Sequence, residues 1–155
     1  MPRRPLVLGH RGASAVSPEN TVVAFERARD LGADGVELDV RRSRDGVLVV
    51  HHDPAIAGGH AIAELTWAEL RAARPDLATL DEALDACRGL VVNAEVKCLP
   101  WEPDADRDGS VMRATVDAVT APDRIAAGAC SWSPRSISPR WISRARTRPV
   151  SPRVG

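Results

Sequence analysis

Short apolar runs along the chain alternate with longer segments in which apolar residues recur every three or four positions. The short runs predict strands over residues 5–9, 36–40, 47–50, 90–96 and 124–129. The helical spacing predicts one helix that Ser17 caps and that ends at Leu31, and others over 65–73, 79–87 and 111–119. Because strands alternate with helices, the pattern predicts an α/β fold built from parallel βα units.

The number of units indicates an incomplete barrel. A closed TIM-type (β/α) barrel takes ~250 residues, whereas this chain has 155 and supplies roughly five of the eight units. We therefore expect a partial barrel over residues 1–130. The first strand, residues 5–9, is apolar on both faces, so it is expected to be buried on both.

The segment from Ser131 to Gly155 has a different composition. Of its 25 residues, 16 are Ser, Arg or Pro, and four prolines exclude a useful length of helix or central strand. This composition predicts a disordered tail. It also resembles translation of a GC-rich gene in the wrong reading frame after about residue 129; a natural low-complexity tail is the alternative.

Charge and cysteine content narrow the functional classes. The net charge is zero, but the tail carries six Arg and no acidic residue, so residues 1–130 have a net charge of −6. This body shows no nucleic-acid-binding pattern, and no apolar run approaches the ~20 residues of a membrane span. The odd number of scattered cysteines, Cys87, Cys98 and Cys130, favours reduced thiols and a cytoplasmic protein.

Acidic residues lie inside two of the predicted strands. Glu37 and Asp39 occupy alternate positions and point to one face, and Glu95 and Lys97 share a face of the fourth strand. Converging carboxylates suit a hard divalent cation, Mg²⁺ or Ca²⁺. The alternative is that the carboxylates form a buried ion-pair cluster with Lys97 or Arg11.

Two histidines follow strands directly. His10 follows the first strand directly and His52 follows the third, so both are expected at the same end of a parallel sheet. Two imidazoles facing a substrate are suited to act as general acid and general base near neutral pH. Arg11 and Lys97 would add positive charge for a phosphate.

Eight sequence elements, in this order, resemble the glycerophosphodiester phosphodiesterase family over about residues 5–128. They are His10-Arg11-Gly12, Pro18-Glu19-Asn20-Thr21 with Ala24-Phe25, Gly32-Ala33-Asp34, Glu37-Leu38-Asp39-Val40, Asp45-Gly46, His52-Asp53, Thr79-Leu80-Asp81-Glu82 and Glu95-Val96-Lys97. The resemblance implies a TIM-type barrel of the phosphodiesterase kind. It implies hydrolysis of a small glycerophosphodiester to an alcohol and glycerol 3-phosphate, with Mg²⁺ or Ca²⁺.

The resemblance also implies a role for each residue of the motifs. Metal ligands would be Glu37, Asp39 and Glu95, and the acid/base pair would be His10 and His52. The substrate-binding residues would be Arg11, Lys97, Glu19 and Asn20.

Two alternatives to an active enzyme remain. The chain could be an inactive fragment of such an enzyme, or a module that binds a phosphorylated glycerol without cleaving it.

Residues 104–109 resemble the start of an EF-hand calcium loop, but Thr115 stands where the final Glu ligand belongs. We therefore expect an acidic, solvated loop there.

Overall fold

A computed structural model describes residues 4–97, 102 and 104–122. It contains one five-stranded sheet with helices packed against it. The strands are β1 (Leu8–His10), β2 (Gly35–Arg42), β3 (Leu48–Val50), β4 (Ala78–Thr79) and β5 (Val91–Val96). The α-helices are α1 (Val22–Asp30), α2 (Trp67–Ala73), α3 (Leu80–Ala86) and α4 (Ser110–Val119), with a 3₁₀ turn at Ile62–Glu64.

Strand β2 organises the sheet. It pairs in parallel with β1 on one side and with β5 on the other, and its last three residues pair antiparallel with β3. Strand β3 in turn pairs antiparallel with the two-residue strand β4. The α/β fold expected from the sequence is therefore confirmed at the level of mixed strands and helices.

The prediction that all strands are parallel is wrong for β3. Only residues 43–47 separate β2 from β3, whereas a parallel crossover needs a dozen residues or more. The turn closes with the amide of Gly46 donating to the carbonyl of Ser43 at 3.1 Å, and Gly46 has a φ of 89°. The result is a hairpin, and strand β4 had no counterpart in the prediction.

The main core lies between β2 and the helices. Because side chains alternate along a strand, Val36, Leu38 and Val40 of β2 face one side, whereas Glu37, Asp39 and Arg41 face the other. The buried members of this core are Phe25, Ala28, Val36, Leu38, Val40, Val50, Leu80, Ala83, Leu84, Ala86, Cys87, Leu90, Val92 and Val119. The acidic face of β2 is thus held by an apolar layer directly behind it.

Two details at the start of the chain differ from expectation. Residues 6–8 are not buried on both faces: Leu6 and Val7 are 58% and 60% exposed, since β1 pairs only with β2 in the part of the chain described. Helix α1 begins later than predicted, with Thr21 rather than Ser17 as its N-cap; the Thr21 hydroxyl accepts from the amide of Ala24. Its predicted end at Leu31 is confirmed.

The remaining helices agree closely with the sequence pattern. Thr79 and Glu82 form a capping box at the start of α3, and Thr66 and Glu69 form another at α2. Across the described residues, no helix has the length and apolar character needed to cross a membrane. The strand predicted over 124–129, the thiols of Cys98 and Cys130 and the predicted tail lie outside the described residues.

Candidate active site

The register around β2 brings three carboxylates together. Glu37 pairs with His10 of β1 and Asn93 of β5, while Asp39 pairs with Glu95. One oxygen atom from each of Glu37, Asp39 and Glu95 lies within 4.8 Å of the other two. The structure thus assembles the three carboxylates that strand alternation placed on one face.

Glu37 is in an environment that disfavours its charge. It is buried, and its burial together with the nearby charge of Asp39 raises its pKa above the ordinary value. The backbone amide of Arg11 donates to Glu37 Oε2 at 3.1 Å, but Oε1 is buried with no hydrogen-bond partner among the described residues. A hard divalent cation would satisfy this oxygen and offset the repulsion, so the three carboxylates fit Mg²⁺ or Ca²⁺.

Two cationic side chains border the carboxylates. Lys97 Nζ lies 2.9 Å from Glu95 Oε1 and 3.1 Å from Asp39 Oδ1, and Arg11 Nε lies 3.1 Å from Asp39 Oδ2. Partial burial works against the charge of Lys97, but hydrogen bonds and charges from Glu95 and Asp39 outweigh it and raise its pKa. The alternative arrangement, an ion-pair cluster, is therefore present beside the carboxylate group, and the two share Asp39 and Glu95.

Asn20, expected to bind substrate, is buried against Asp39. It is only 2% exposed, and both ends of its amide engage Asp39: Nδ2 donates to Asp39 Oδ2 at 2.8 Å, and Oδ1 accepts from the Asp39 amide at 3.3 Å. Asn20 therefore holds the carboxylate of Asp39 in position. Glu19 accepts two hydrogen bonds from Arg11 Nη1, at 3.0 and 3.1 Å, and remains exposed.

The two histidines lie on different segments of the chain. His10 Nε2 lies 3.8 Å from Glu37 Oε2, and the His10 side chain is largely exposed. The segment after β3 returns to the site because β3 is antiparallel to β2, with the His51 amide donating to the Asp39 carbonyl at 2.9 Å. His52 Nδ1 lies 2.7 Å from Asp53 Oδ1, and this hydrogen bond lowers the pKa of Asp53.

Two acidic side chains of the EF-hand-like segment, residues 104–109, accept hydrogen bonds from other parts of the protein. Asp104 Oδ2 accepts from Arg41 Nη1 at 2.6 Å and its side chain is nearly buried. Asp106 accepts from the amides of Val111 and Met112 at the start of α4. The expectation of a solvated loop is therefore wrong for Asp104 and Asp106, which pair with the buried guanidinium of Arg41 and with the free amides of a helix terminus, although Arg107 and Asp108 are exposed.

One buried residue near the site was not singled out from the sequence. Arg41 follows Glu37 and Asp39 at the next alternate position of β2, and its side chain is 2% exposed. The same strand alternation that identified the two carboxylates also places Arg41 on their face. A buried arginine on the polar face of a strand requires anionic or carbonyl partners, which the sequence alone does not locate.

Comparison with known proteins gives one family. The model of the Glycerophosphoryl diester phosphodiesterase family matches residues 10–145, and the match extends past residue 130 into the segment that composition set apart. A glycerophosphodiester phosphodiesterase of Caldanaerobacter subterraneus subsp. tengcongensis is 57% identical over 53 residues, which are 34% of this chain and 22% of that protein.

Solved structures give the same result. The glycerophosphodiester phosphodiesterase of Thermotoga maritima is 37% identical with a TM-score of 0.58, over 61% of this chain and 45% of that one. An Oleispira antarctica phosphodiesterase, in complex with the product sn-glycerol-3-phosphate, is 26% identical with a TM-score of 0.64, over 76% of this chain and 52% of that one. This chain thus spans about half or less of the proteins that it matches.

Proposed function

Since this chain belongs to the Glycerophosphoryl diester phosphodiesterase family, we propose that its site hydrolyses glycerophosphodiesters to an alcohol and glycerol 3-phosphate. The convergence of Glu37, Asp39 and Glu95 within 4.8 Å, bordered by Lys97 and Arg11, is the observation that carries the proposal. A phosphodiester is an anion that gains negative charge on its leaving oxygen as it is cleaved, and this site offers charges of both signs for its recognition.

Glu37, Asp39 and Glu95 would hold Mg²⁺ or Ca²⁺. When bound, such a cation supplies charge neutralisation and polarisation of a phosphoryl oxygen. Asn20 keeps Asp39 oriented through both ends of its amide. Arg11 and Lys97 are partly exposed, at 18% and 16%, so each can turn part of its charge toward a phosphate while remaining paired with Asp39.

His10 and His52 would carry the proton transfers. The carboxylate of Asp53 beside His52 Nδ1 favours the tautomer with the proton on Nδ1, which leaves Nε2 free to accept one. In this role His52 accepts the proton of the substrate's own glycerol hydroxyl as that oxygen attacks phosphorus and the bond to the alcohol oxygen breaks; water then opens the resulting cyclic phosphate to glycerol 3-phosphate. His10, beside Glu37 and largely exposed, is placed to give a proton to the departing alcohol oxygen.

The wider expectations from the sequence belong to the same proposal. The sheet around β2 would be part of an incomplete TIM-type barrel spanning residues 1–130, followed by a tail at 131–155. The substrate would be a small soluble molecule rather than a nucleic acid, and the protein would be cytoplasmic.

Hydrolysis of sn-glycero-3-phosphocholine by the 155-residue chain, with Mg²⁺ or Ca²⁺, tests the function directly. Release of glycerol 3-phosphate is followed for the wild type, His52→Ala and His60→Ala, where His60 lies exposed in a glycine-rich loop and serves as the matched control. We expect His52→Ala to lose on the order of 10²–10⁴-fold in rate and His60→Ala to keep its rate. Binding of glycerol 3-phosphate without any hydrolysis would instead support the non-catalytic binding module.

A further inference from the structure

Arg41 is the largest fully buried side chain among the described residues. It lies on the acidic face of β2, one alternate position beyond Asp39. A buried guanidinium is costly unless each of its donors is satisfied. Its contacts therefore show what it holds in place.

Five contacts match its five N–H groups. Nε and Nη2 donate to the backbone carbonyl of His52 at 2.9 and 2.7 Å. Nη1 donates to Asp104 Oδ2 at 2.6 Å and to Glu102 Oε2 at 3.2 Å, and Nη2 also donates to Glu102 Oε1 at 3.3 Å. With all its donors used inside the protein, Arg41 has none left for a phosphate.

These contacts join two segments that leave the sheet at the site. One is the segment after β3, which carries His52, and the other follows β5 and carries Glu102 and Asp104. The carboxylates of Glu102 and Asp104 hold the guanidinium through its two terminal nitrogens. Its other edge, formed by Nε and Nη2, holds the His52 carbonyl. The ring of His52 is held separately, through Asp53.

We propose that Arg41 is a positioning residue that sets the placement of His52 by anchoring its carbonyl to Glu102 and Asp104. Lysine at position 41 would keep the charge but lose the planar fork that reaches the His52 carbonyl and both carboxylates together. The catalytic consequence rests on the proposed role of His52. The placement itself does not, so it can be measured without activity.

The first test is spectroscopic. The imidazole nitrogen signals of His52 are recorded by long-range ¹H–¹⁵N correlation in the labelled 155-residue chain and assigned with His52→Gln. We expect Arg41→Lys to shift or broaden these signals. Arg44→Lys is the matched control, since the Arg44 side chain is more than half exposed and donates hydrogen bonds to Glu64 and Glu69; it should leave the His52 signals unchanged.

A second variant covers the case in which Arg41→Lys fails to fold. Asp104→Asn weakens the anchor on the far side of Arg41, and it should move the His52 signals although Asp104 bonds to Arg41 and not to His52. Unchanged His52 signals in both variants, or in Asp104→Asn alone if Arg41→Lys is unfolded, would overturn the proposal.

The second test is kinetic. Misplacement of a catalytic group can cost up to about 10²-fold, so we expect Arg41→Lys to lower kcat by roughly 10- to 100-fold with little change in KM. In a His52→Ala background the same change should cost less than about 2-fold, because the two residues act through one contact. Equal losses in both backgrounds would contradict positioning through His52, whereas absence of hydrolysis in the wild type would refute the proposed function and leave the spectroscopic test decisive.

Discussion

Replacement of Asn20 offers a quantitative test of how the site is held. Asn20 is buried, has a φ of 58°, and engages both the carboxylate and the backbone amide of Asp39. Different substitutions therefore separate the loss of the side-chain hydrogen bonds to Asp39 from strain in the backbone at position 20. Asn20→Gly removes the side chain but tolerates the backbone conformation, and Asn20→Ala removes the side chain while placing a Cβ in the left-handed region.

The magnitudes follow from the contacts. The hydrogen bond from Asn20 Nδ2 to the Asp39 carboxylate, at 2.8 Å, is to a charged group and contributes about 1.5–3 kcal/mol. Loss of the longer bond from the Asp39 amide leaves a buried donor unpaired, at a cost of about 1 kcal/mol or more. Alanine adds about 1–2 kcal/mol for its left-handed backbone, partly offset because glycine makes the unfolded chain more flexible.

We therefore expect Asn20→Gly to lower the free energy of unfolding by about 2–4 kcal/mol, and Asn20→Ala to lower it by about 1 kcal/mol more. Urea unfolding of the wild type and both variants at pH 7, without divalent cations, measures this. The denaturant dependence of the free energy should be unchanged, so that midpoints report stability. Equal unfolding midpoints for Asn20→Gly and Asn20→Ala would refute the argument about backbone strain. Variants within about 0.5 kcal/mol of the wild type would show that the two hydrogen bonds between Asn20 and Asp39 add little stability.

Three further predictions concern the core, the acidic cluster and a helix terminus. Phe25→Ala should lower the free energy of unfolding by about 3–5 kcal/mol because Phe25 is fully buried. The control Val23→Ala, at a 60% exposed position of the same helix, should change this free energy by less than about 0.5 kcal/mol. Equal effects of the two substitutions would contradict the burial of Phe25 in the core. Without divalent cations, stability should fall as pH rises from the ordinary pKa of 4.5 through the raised pKa of Glu37, since the native state then binds the proton more tightly than the unfolded state. Urea midpoints across this range should lose that slope in Glu37→Gln, and a slope that persists would show that another group causes it. Thr79→Ala should cost about 1 kcal/mol in thermal or urea unfolding through loss of the α3 capping box, and no change would show that the cap adds no stability.

Strand alternation was the most informative part of the sequence. It located Glu37 and Asp39 on one face, because a β-strand reverses its side chains at every residue whatever surrounds it. The helix boundary at Thr79 was equally predictable, since the Thr79–Glu82 capping box is formed by residues three apart.

Features that depend on distant partners were not predictable in this way. Ser17 and Pro18 have the local chemistry of a helix start, but the chain instead turns through Asn20 so that its amide reaches Asp39, and the helix begins after Thr21. The role of Arg41 likewise depends on carboxylates more than 60 positions away.

The hairpin between β2 and β3 is a different case. The signal for it was present in Asp45-Gly46, a dipeptide favoured in tight turns, and in the short connection over 43–47. Strand–helix alternation along the rest of the chain outweighed it in the prediction. The consequence reaches the site, because the antiparallel β3 brings His51, the neighbour of His52, to the backbone of Asp39.

The proposed reaction depends above all on a divalent cation held by Glu37, Asp39 and Glu95. Calorimetric titration of Mg²⁺ or Ca²⁺ into the 155-residue chain measures this directly, with Glu95→Gln as the test variant and Glu26→Gln, an exposed position on α1, as its control. We predict one cation per chain, with affinity reduced about tenfold or more in Glu95→Gln and unchanged in Glu26→Gln. Equal binding by all three proteins, or no binding by the wild type, would contradict the assignment of these carboxylates as a cation site.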